Sequence, residues 1–348
     1  MRSAQGAART AKQVEQRFAS HSVVRVLLRS TCAVWAAVAL AAPAFSQSPP
    51  AQQDASIIKV DVNLVNVLFA VRNKSGGLVG NLERNDFTIF EDGKQQDIKF
   101  FTRETDLPLT LGLLVDVSKS QERLIETEKR AAKDFFAQVL RPKDEAFLIS
   151  FGEDAELLQD YTNSVRLLDQ GLDQLRLSVP VGGLHPGPVP TISQMRGTIL
   201  YDAVYLAAND QLHGQVGRKA LILITDGIDE GSRYPKSKAI EAAQKADAII
   251  YSIEYFDRGA YGMFAPSNSA LREISEDTGG RVFKVDRKHT LEEVFREIQD
   301  ELRSQYAIGY APTNPAKDGT FRRIEIRTDQ KDFKVQARKG YYAVPSTE

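Results

Sequence analysis

The segment Asp116-Val117-Ser118-Lys119-Ser120 follows a nearly continuous apolar run, Leu109 to Val115. Such a run reads as a β-strand buried on both faces. A carboxylate and two hydroxyls, two residues apart just beyond it, can turn toward one point as the strand becomes a loop. Oxygen ligands with few full charges are what a hard divalent cation takes, with waters completing the shell. Two further segments carry the same chemistry. Gly197-Thr198 closes a loop rich in Pro and Gly and opens a helical pattern, and Thr225-Asp226-Gly227 follows the apolar strand Ala220 to Ile224. Each signal alone is weak, because Ser, Thr and Asp also cap helices and form turns. Their conjunction at the edges of one parallel sheet is specific, since ligand sites in open α/β sheets form at the carboxyl ends of strands. The candidate metal ligands are therefore Asp116, Ser118, Ser120, Thr198 and Asp226. Lys119 and Gln121 place a cation and a long amide beside them, while Asp229 and Glu230 read as supporting groups or as solvated loop acids.

The elements that must position these residues alternate between strand and helix. After the first apolar strand come a helix around Ala131 to Leu140, the strand Ala146 to Phe151, and a second helix marked by Leu167, Leu168, Leu172 and Leu175. A Pro/Gly loop over 179–196 leads to a helix at about 200–212. The strand 220–224, a helix 236–246, the strand Ala248 to Ile253, a short helix 268–277, the strand Val282 to Val285 and a helix 290–305 complete the series. Such alternation means βαβ crossovers and a mostly parallel, doubly wound sheet covered on both sides. The flanks differ. Residues 57–104 hold only strand patterns, with an apolar phase that slips by one after Leu64. They include a hairpin joining Phe87 to Phe90 with Ile98 to Phe101 across Asp92-Gly93. After 305, Tyr306 to Tyr310, Phe321 to Thr328 and Phe333 to Ala343 read as three strands. Neither flank has strands enough for a comfortable domain, and unpaired edges are a liability. The expected fold is thus an α/β domain over 107–305 inserted between two halves, 57–104 and 306–343, of one smaller all-β, sandwich-like domain.

Composition and charge exclude several functions. With 42% apolar and 26% charged residues the chain is of globular type. Its net charge of −1 averages a basic leader and an acidic body, without the concentrated basic patch a nucleic-acid partner requires. Arg25 and Arg29 precede the apolar run Ala33 to Ala42, and small residues follow at Ala42-Pro43-Ala44 and Ala44-Phe45-Ser46. Residues 1–46 therefore read as a signal peptide, too short for an ordinary membrane span, with 47–56 a polar, Pro-rich linker. The expected location is outside the cytoplasm: periplasmic, cell-surface or extracellular. An uncleaved signal would be the one membrane attachment. Cys32 is the single cysteine and lies in the leader, so the exported chain has neither a disulfide nor a thiolate metal site. His185, His213 and His289 lack HExxH-type spacing. No GxSxG elbow, P-loop or GxGxxG follows a strand. An aspartyl phosphatase of the haloacid-dehalogenase type needs a second Asp where Ser118 stands, and no base is placed by sequence beside Ser118 or Ser120.

Taken in order, the apolar strand, the Asp-x-Ser-x-Ser of 116–120, Thr198 before a helix, and Thr225-Asp226-Gly227 resemble the metal-ion-dependent adhesion site of von Willebrand factor type A domains. The resemblance covers about 107–305. Leader and β flanks are similar to those of a secreted bacterial group, common in Acidobacteria, related to that family. The resemblance implies that Asp116, Ser118 and Ser120 bind Mg²⁺, with Mn²⁺ or Ca²⁺ also compatible. It implies that Thr198 and Asp226 join them, and that an Asp or Glu carboxylate of a protein partner completes the shell. The expectation is a non-catalytic, metal-dependent binding or adhesion module; the alternatives are a metal-dependent hydrolase and a structural module with a vestigial site.

Overall fold

The computed structural model describes residues 64–104, 107–178, 197–257 and 269–344. The leader, the linker, the start of the first predicted strand and the Pro/Gly loop 179–196 lie outside these residues. In chain order, β1 (Val65–Asn73), β2 (Phe87–Glu91), β3 (Lys94–Gln96) and β4 (Ile98–Glu104) come first. Then follow β5 (Leu109–Asp116), α1 (Ile125–Val139), β6 (Glu145–Phe151), β7 (Ala155–Thr162), α2 (Val165–Asp173) and α3 (Leu200–Leu206). Next are β8 (Arg218–Thr225), α4 (Lys236–Lys245), β9 (Ala248–Glu254), α5 (Ser269–Thr278), β10 (Val282–Lys284) and α6 (Leu291–Leu302). The chain closes with β11 (Gln305–Tyr310), β12 (Phe321–Thr328), β13 (Phe333–Ala337) and β14 (Gly340–Tyr342).

The central sheet has the order β10-β9-β8-β5-β6-β7, parallel except for β7 at one edge. All eight residues of β5 and all eight of β8 are buried, as their unbroken apolar runs require. Successive side chains of a strand serve opposite faces. Leu111, Leu113 and Val115 pack with α1, α2 and α6, while Leu114 packs with α3, α4 and α5. Gly112 lets the layers close, because a Cβ there would stand 2.3 Å from Phe147 Cζ and 2.6 Å from Leu221 Cδ2. The strand order reverses direction between β5 and β8, which makes their carboxyl ends the topological switch point.

Two antiparallel sheets, β13-β1-β11-β4 and β14-β12-β2-β3, face each other across one core. Each sheet takes strands from both ends of the chain: β1 pairs with β11, and β2 pairs with β12. Phe69, Phe87, Phe101 and Tyr306 pack ring to ring at centroid distances of 5.0–6.0 Å. The fold is thus an α/β unit with a mostly parallel sheet, together with an antiparallel β-sandwich.

Several local readings need correction. Asp92 and Gly93 have φ of 48° and 81°, as a two-residue hairpin turn demands. The arm facing β2, however, is Lys94–Gln96, and Ile98 onward crosses to the other sheet as β4. The run 333–343 likewise splits at a corner into β13 and β14, one in each sheet. Gly340 allows the crossing, since a Cβ there would meet Arg322 O at 2.3 Å. The last helix ends at Leu302, and Gln305 already belongs to β11. Strand β7 escaped sequence analysis because Leu157 and Leu158 break the alternation and Leu157 is exposed at the sheet's edge.

One buried carboxylate ties α6 to the sandwich. Glu301 is fully buried and pairs with Arg72 of β1, with Arg281 at 3.1 Å, and with Gln336 Nε2 of β13 at 2.5 Å. Removing one member of such a group leaves uncompensated buried charge. Glu301→Ala is expected to lower the unfolding free energy by about 3 kcal/mol, read as a lower urea midpoint at unchanged slope. A midpoint within error of the parent would show that these pairs are effectively solvated.

Candidate metal centre

Asp116 is the last residue of β5 and is fully buried. Its Oδ1 accepts the Ser118 amide at 2.9 Å and its Oδ2 accepts the Thr225 hydroxyl at 2.6 Å, so the ends of β5 and β8 are joined through this carboxylate. A single 3₁₀ turn over Lys119–Gln121 brings the hydroxyls of Ser118 and Ser120 to 2.9 Å from each other. Ser120 Oγ donates to Asp226 Oδ2 at 2.7 Å, and Asp226 Oδ1 accepts the Ile228 amide at 3.0 Å. Gly227 turns the chain away with φ of 84°, a conformation that excludes most side chains. Asp116, Ser118, Ser120 and Asp226 thus form one hydrogen-bonded group at the switch point.

Thr198 lines the same cavity of about 350 Å³ as Ser118, Ser120 and Asp226. Its carbonyl accepts the amides of Glu230 at 3.0 Å and Gly231 at 3.1 Å. Asp229 and Ser232 accept the first amides of α3, from Tyr201 at 3.1 Å and Asp202 at 3.0 Å. Asp202 returns the contact by accepting the amides of Arg233 and Tyr234. The loop after Asp226 is therefore stitched to α3, which holds Thr198 beside the carboxylates. The N-cap position of α3 is Ile199 and makes no side-chain cap bond. Asp229 acts as a capping group rather than a solvated acid.

Two residues behave otherwise than the sequence indicated. Gln121 does not stand in the cavity: it is fully buried, with Nε2 donating to Tyr255 O at 3.3 Å. Glu128, which sequence reasoning missed, is 1% exposed on the inner face of α1. Neither of its carboxylate oxygens has a hydrogen-bond partner among the described residues. The signal was available, since Glu128 falls on the apolar stripe of Ile125, Ala132, Phe135 and Val139. Burial first and the Asp116 charge second push its carboxyl well above the usual range.

Burial also raises Asp116, to about 6, helped by the nearby Asp226 charge and opposed by the hydrogen bonds from Thr225 and Ser118. Among the described residues, none of the groups hydrogen-bonded to Asp116 carries a positive charge. Two close carboxylates, two hydroxyls and a threonine at an open cavity are a donor set that fits a hard divalent cation better than any thiolate or imidazole metal. Among the described residues, no group of three or more acid, His or Cys side chains is arranged to hold a metal ion by itself, so the hydroxyls must contribute to the donor set.

No family model matches the chain. A curated protein of Borreliella burgdorferi, described as uncharacterized, is 22% identical over 234 residues, which cover 62% of this chain and 59% of that protein. The chain thus spans less than two thirds of that relative's length. Among solved structures, an aerotolerance-related membrane protein from Bacteroides fragilis is 18% identical, covering 56% of this chain and 98% of its own, with a TM-score of 0.41. Proximal thread matrix protein 1 from the mussel byssus, with a zinc-occupied MIDAS motif, is 15% identical, covering 61% and 50%, with a TM-score of 0.43. The vWF domain of the pilus tip protein Mfa5 from Porphyromonas gingivalis is 14% identical, covering 56% and 95%, with a TM-score of 0.41. These likenesses are distant, and the fold rests on strand order and pairing.

The raised carboxyl of Asp116 has a stability consequence of definite sign. Between its ordinary value of 3.8 and its folded value of about 6, the folded chain binds more protons than the unfolded one. Metal-free protein should therefore lose stability as pH rises through this window, by roughly 3 kcal/mol from Asp116. Glu128 acts in the same direction. Asp116→Asn is expected to remove the Asp116 share, measured as the difference between parent and variant in chelator-treated melts from pH 4 to 7. Identical pH profiles would rule out Asp116 as the source.

Proposed function

We propose that the chain is an exported, non-catalytic protein-binding module of the von Willebrand factor type A kind, dependent on a divalent cation. In this reading Asp116, Ser118, Ser120, Thr198 and Asp226 hold the ion, Mg²⁺ by preference, with Mn²⁺ or Ca²⁺ compatible. The observation that carries it is the hydrogen-bonded group of Asp116, Ser118, Ser120 and Asp226 at the switch point, open to a cavity on the side of Thr198.

A bound divalent ion supplies an electrophilic position for a carboxylate oxygen of a partner's Asp or Glu. The chain's own residues do the rest. Asp116 and Asp226 would carry the formal charge, with Asp116 oriented by Ser118 N and Thr225 Oγ1. Ser118, Ser120 and Thr198 would offer neutral oxygens. Lys119, exposed at the cavity, favours the same ligand sign. Support for a non-catalytic role comes from the serines: Ser120 donates to a carboxylate and Ser118 pairs with Ser120, and among the described residues no imidazole or amine is bonded to either. His289 is committed elsewhere, to Lys284 O and Glu297. The basic and apolar leader supports export, and no described helix is long and apolar enough to cross a membrane.

Mg²⁺ or Mn²⁺ should bind with measurable heat and raise the melting temperature, by about 2.7 kcal/mol of added stability at a hundredfold excess over Kd. Asp116→Ala should abolish the response while keeping the circular dichroism spectrum. Generic ester and phosphate substrates should show no turnover with the ion present. Absence of heat with either ion at millimolar concentration would overturn the metal reading, and turnover lost in Asp116→Ala would replace the adhesion reading with a hydrolase. A chelator-sensitive pull-down from the native cell envelope would supply the partner.

A further inference from the structure

The parallel sheet also has an amino end, opposite the metal centre, and there a second cavity of about 100 Å³ opens between the sheet and the sandwich. Lys219, second residue of β8, and Asp247, just before β9, come from the α/β side. Asn66 of β1 and Arg338, at the corner between β13 and β14, come from the sandwich side. Lys219 is only 9% exposed, yet it forms no ion pair among the described residues; its Nζ donates to Gln215 O at 2.9 Å. Arg338 spends one terminal nitrogen on Asp247 and the other on Asn66 O at 2.8 Å. Its Nε is buried and has no acceptor among the described residues. Thr278, also on the wall, is saturated by Ile250 N and by the carbonyls of Ile274 and Ser275.

The cavity therefore presents two cationic side chains against one carboxylate, and that carboxylate is already engaged by Arg338. What is missing is an acceptor with negative charge. Burying an ammonium whose sole partner is a neutral carbonyl costs free energy that a charged acceptor would offset. Burial accordingly holds the Lys219 amine below its usual range, with Arg338 adding to the effect and Asp247 opposing it. A water molecule could satisfy Arg338 Nε but would leave the charge uncompensated. Size favours a small ligand: a closed cavity of ~150 Å³ just admits benzene, so the space of about 100 Å³ in this cleft suits an ion of about five heavy atoms.

We infer that this cleft is a second ligand site, which holds one small oxyanion of phosphate or short-carboxylate size between Lys219 Nζ and Arg338 Nε. Because Lys219 belongs to the central sheet and Arg338 to the sandwich, the anion is a bridge between them. It is independent of the metal centre.

The test uses the full chain in chelator, at constant ionic strength set with chloride, with inorganic phosphate and acetate as separate probes in calorimetry and thermal melts. Saturable binding of one equivalent of either probe is expected, with a rise in melting temperature; which probe binds more tightly names the natural class. Lys219→Met should weaken binding at least about tenfold, the loss of one charge-assisted hydrogen bond. Arg338→Lys, which keeps the charge and removes Nε, should weaken it comparably, and Asp116→Ala should leave it unchanged. If Lys219→Met does not fold, Arg338→Lys decides. Non-saturable responses to both probes, or equal affinity in parent and folded variants, would overturn the inference without touching the metal reading.

Discussion

Glu104, the last residue of β4, and Gln305, the first of β11, are paired across a single rung of an antiparallel ladder. Everything from β5 to α6 leaves the sandwich at one side of that rung and returns at the other. Loop closure of a long excursion costs conformational entropy that must be repaid where the ends meet. Here the repayment is local: β11 is hydrogen-bonded to β1 on one side and β4 on the other, and Tyr306, Ile308 and Tyr310 are buried in the sandwich core. Glu301, one turn before the return, is bound by Arg72, Arg281 and Gln336. The sandwich can close only if the α/β unit presents its two ends side by side, and an open sheet with its entry and exit at the amino ends of strands meets that condition.

This constraint orients the chemistry. With the sandwich at the amino edge of the parallel sheet, the carboxyl edge is left open, and there the switch between β5 and β8 gathers the oxygen donors. The site is held by interlocking rather than by burial alone. Asp116 bonds to the end of β8, Ser120 to Asp226, and the loop after Asp226 to the start of α3. Glu128 lies behind this arrangement as a carboxyl without a partner among the described residues, beside a second carboxyl raised by the same desolvation. Acid groups concentrated in so small a volume are tolerable when protonated or when a cation neutralises them.

The two ends of the sheet are electrostatically opposite. Carboxylates without a cationic hydrogen-bond partner at Asp116 mark the carboxyl edge; a cation without an anionic partner at Lys219 marks the amino edge. Both are departures from the usual pairing of buried charge; Lys219 lines one cavity, and Ser118, Ser120 and Asp226, next to the buried Asp116, line the other. Other buried ionic groups have partners: Arg303 pairs with Asp144, and Glu91 accepts hydrogen bonds from the hydroxyls of Tyr310 and Tyr341.

Local pattern was enough to place most of this architecture. The unbroken apolar runs of β5, β8 and β9 read as strands buried on both faces, and the helical spacing of Val294, Phe295, Ile298 and Leu302 predicts a helix that the structure ends within three residues of expectation. The residues Asp116, Ser118, Ser120 and Asp226 were legible because each follows a recognisable strand end. What the sequence left undecided is whatever depends on a partner distant along the chain. Strand β7 carries no clean alternation and owes its place to the free edge of β6. The residues after Gln96 and after Ala337 read as continuations of their strands, yet each crosses to the opposite sheet, because the other edge offers hydrogen bonds the first does not. Gln121 and Lys219 look like ordinary solvated residues until tertiary packing covers them, whereas Glu128 is marked by its place on the apolar stripe of α1. Period and run length fix which face of an element is apolar; which polar groups end up dry is set by the elements that pack against it.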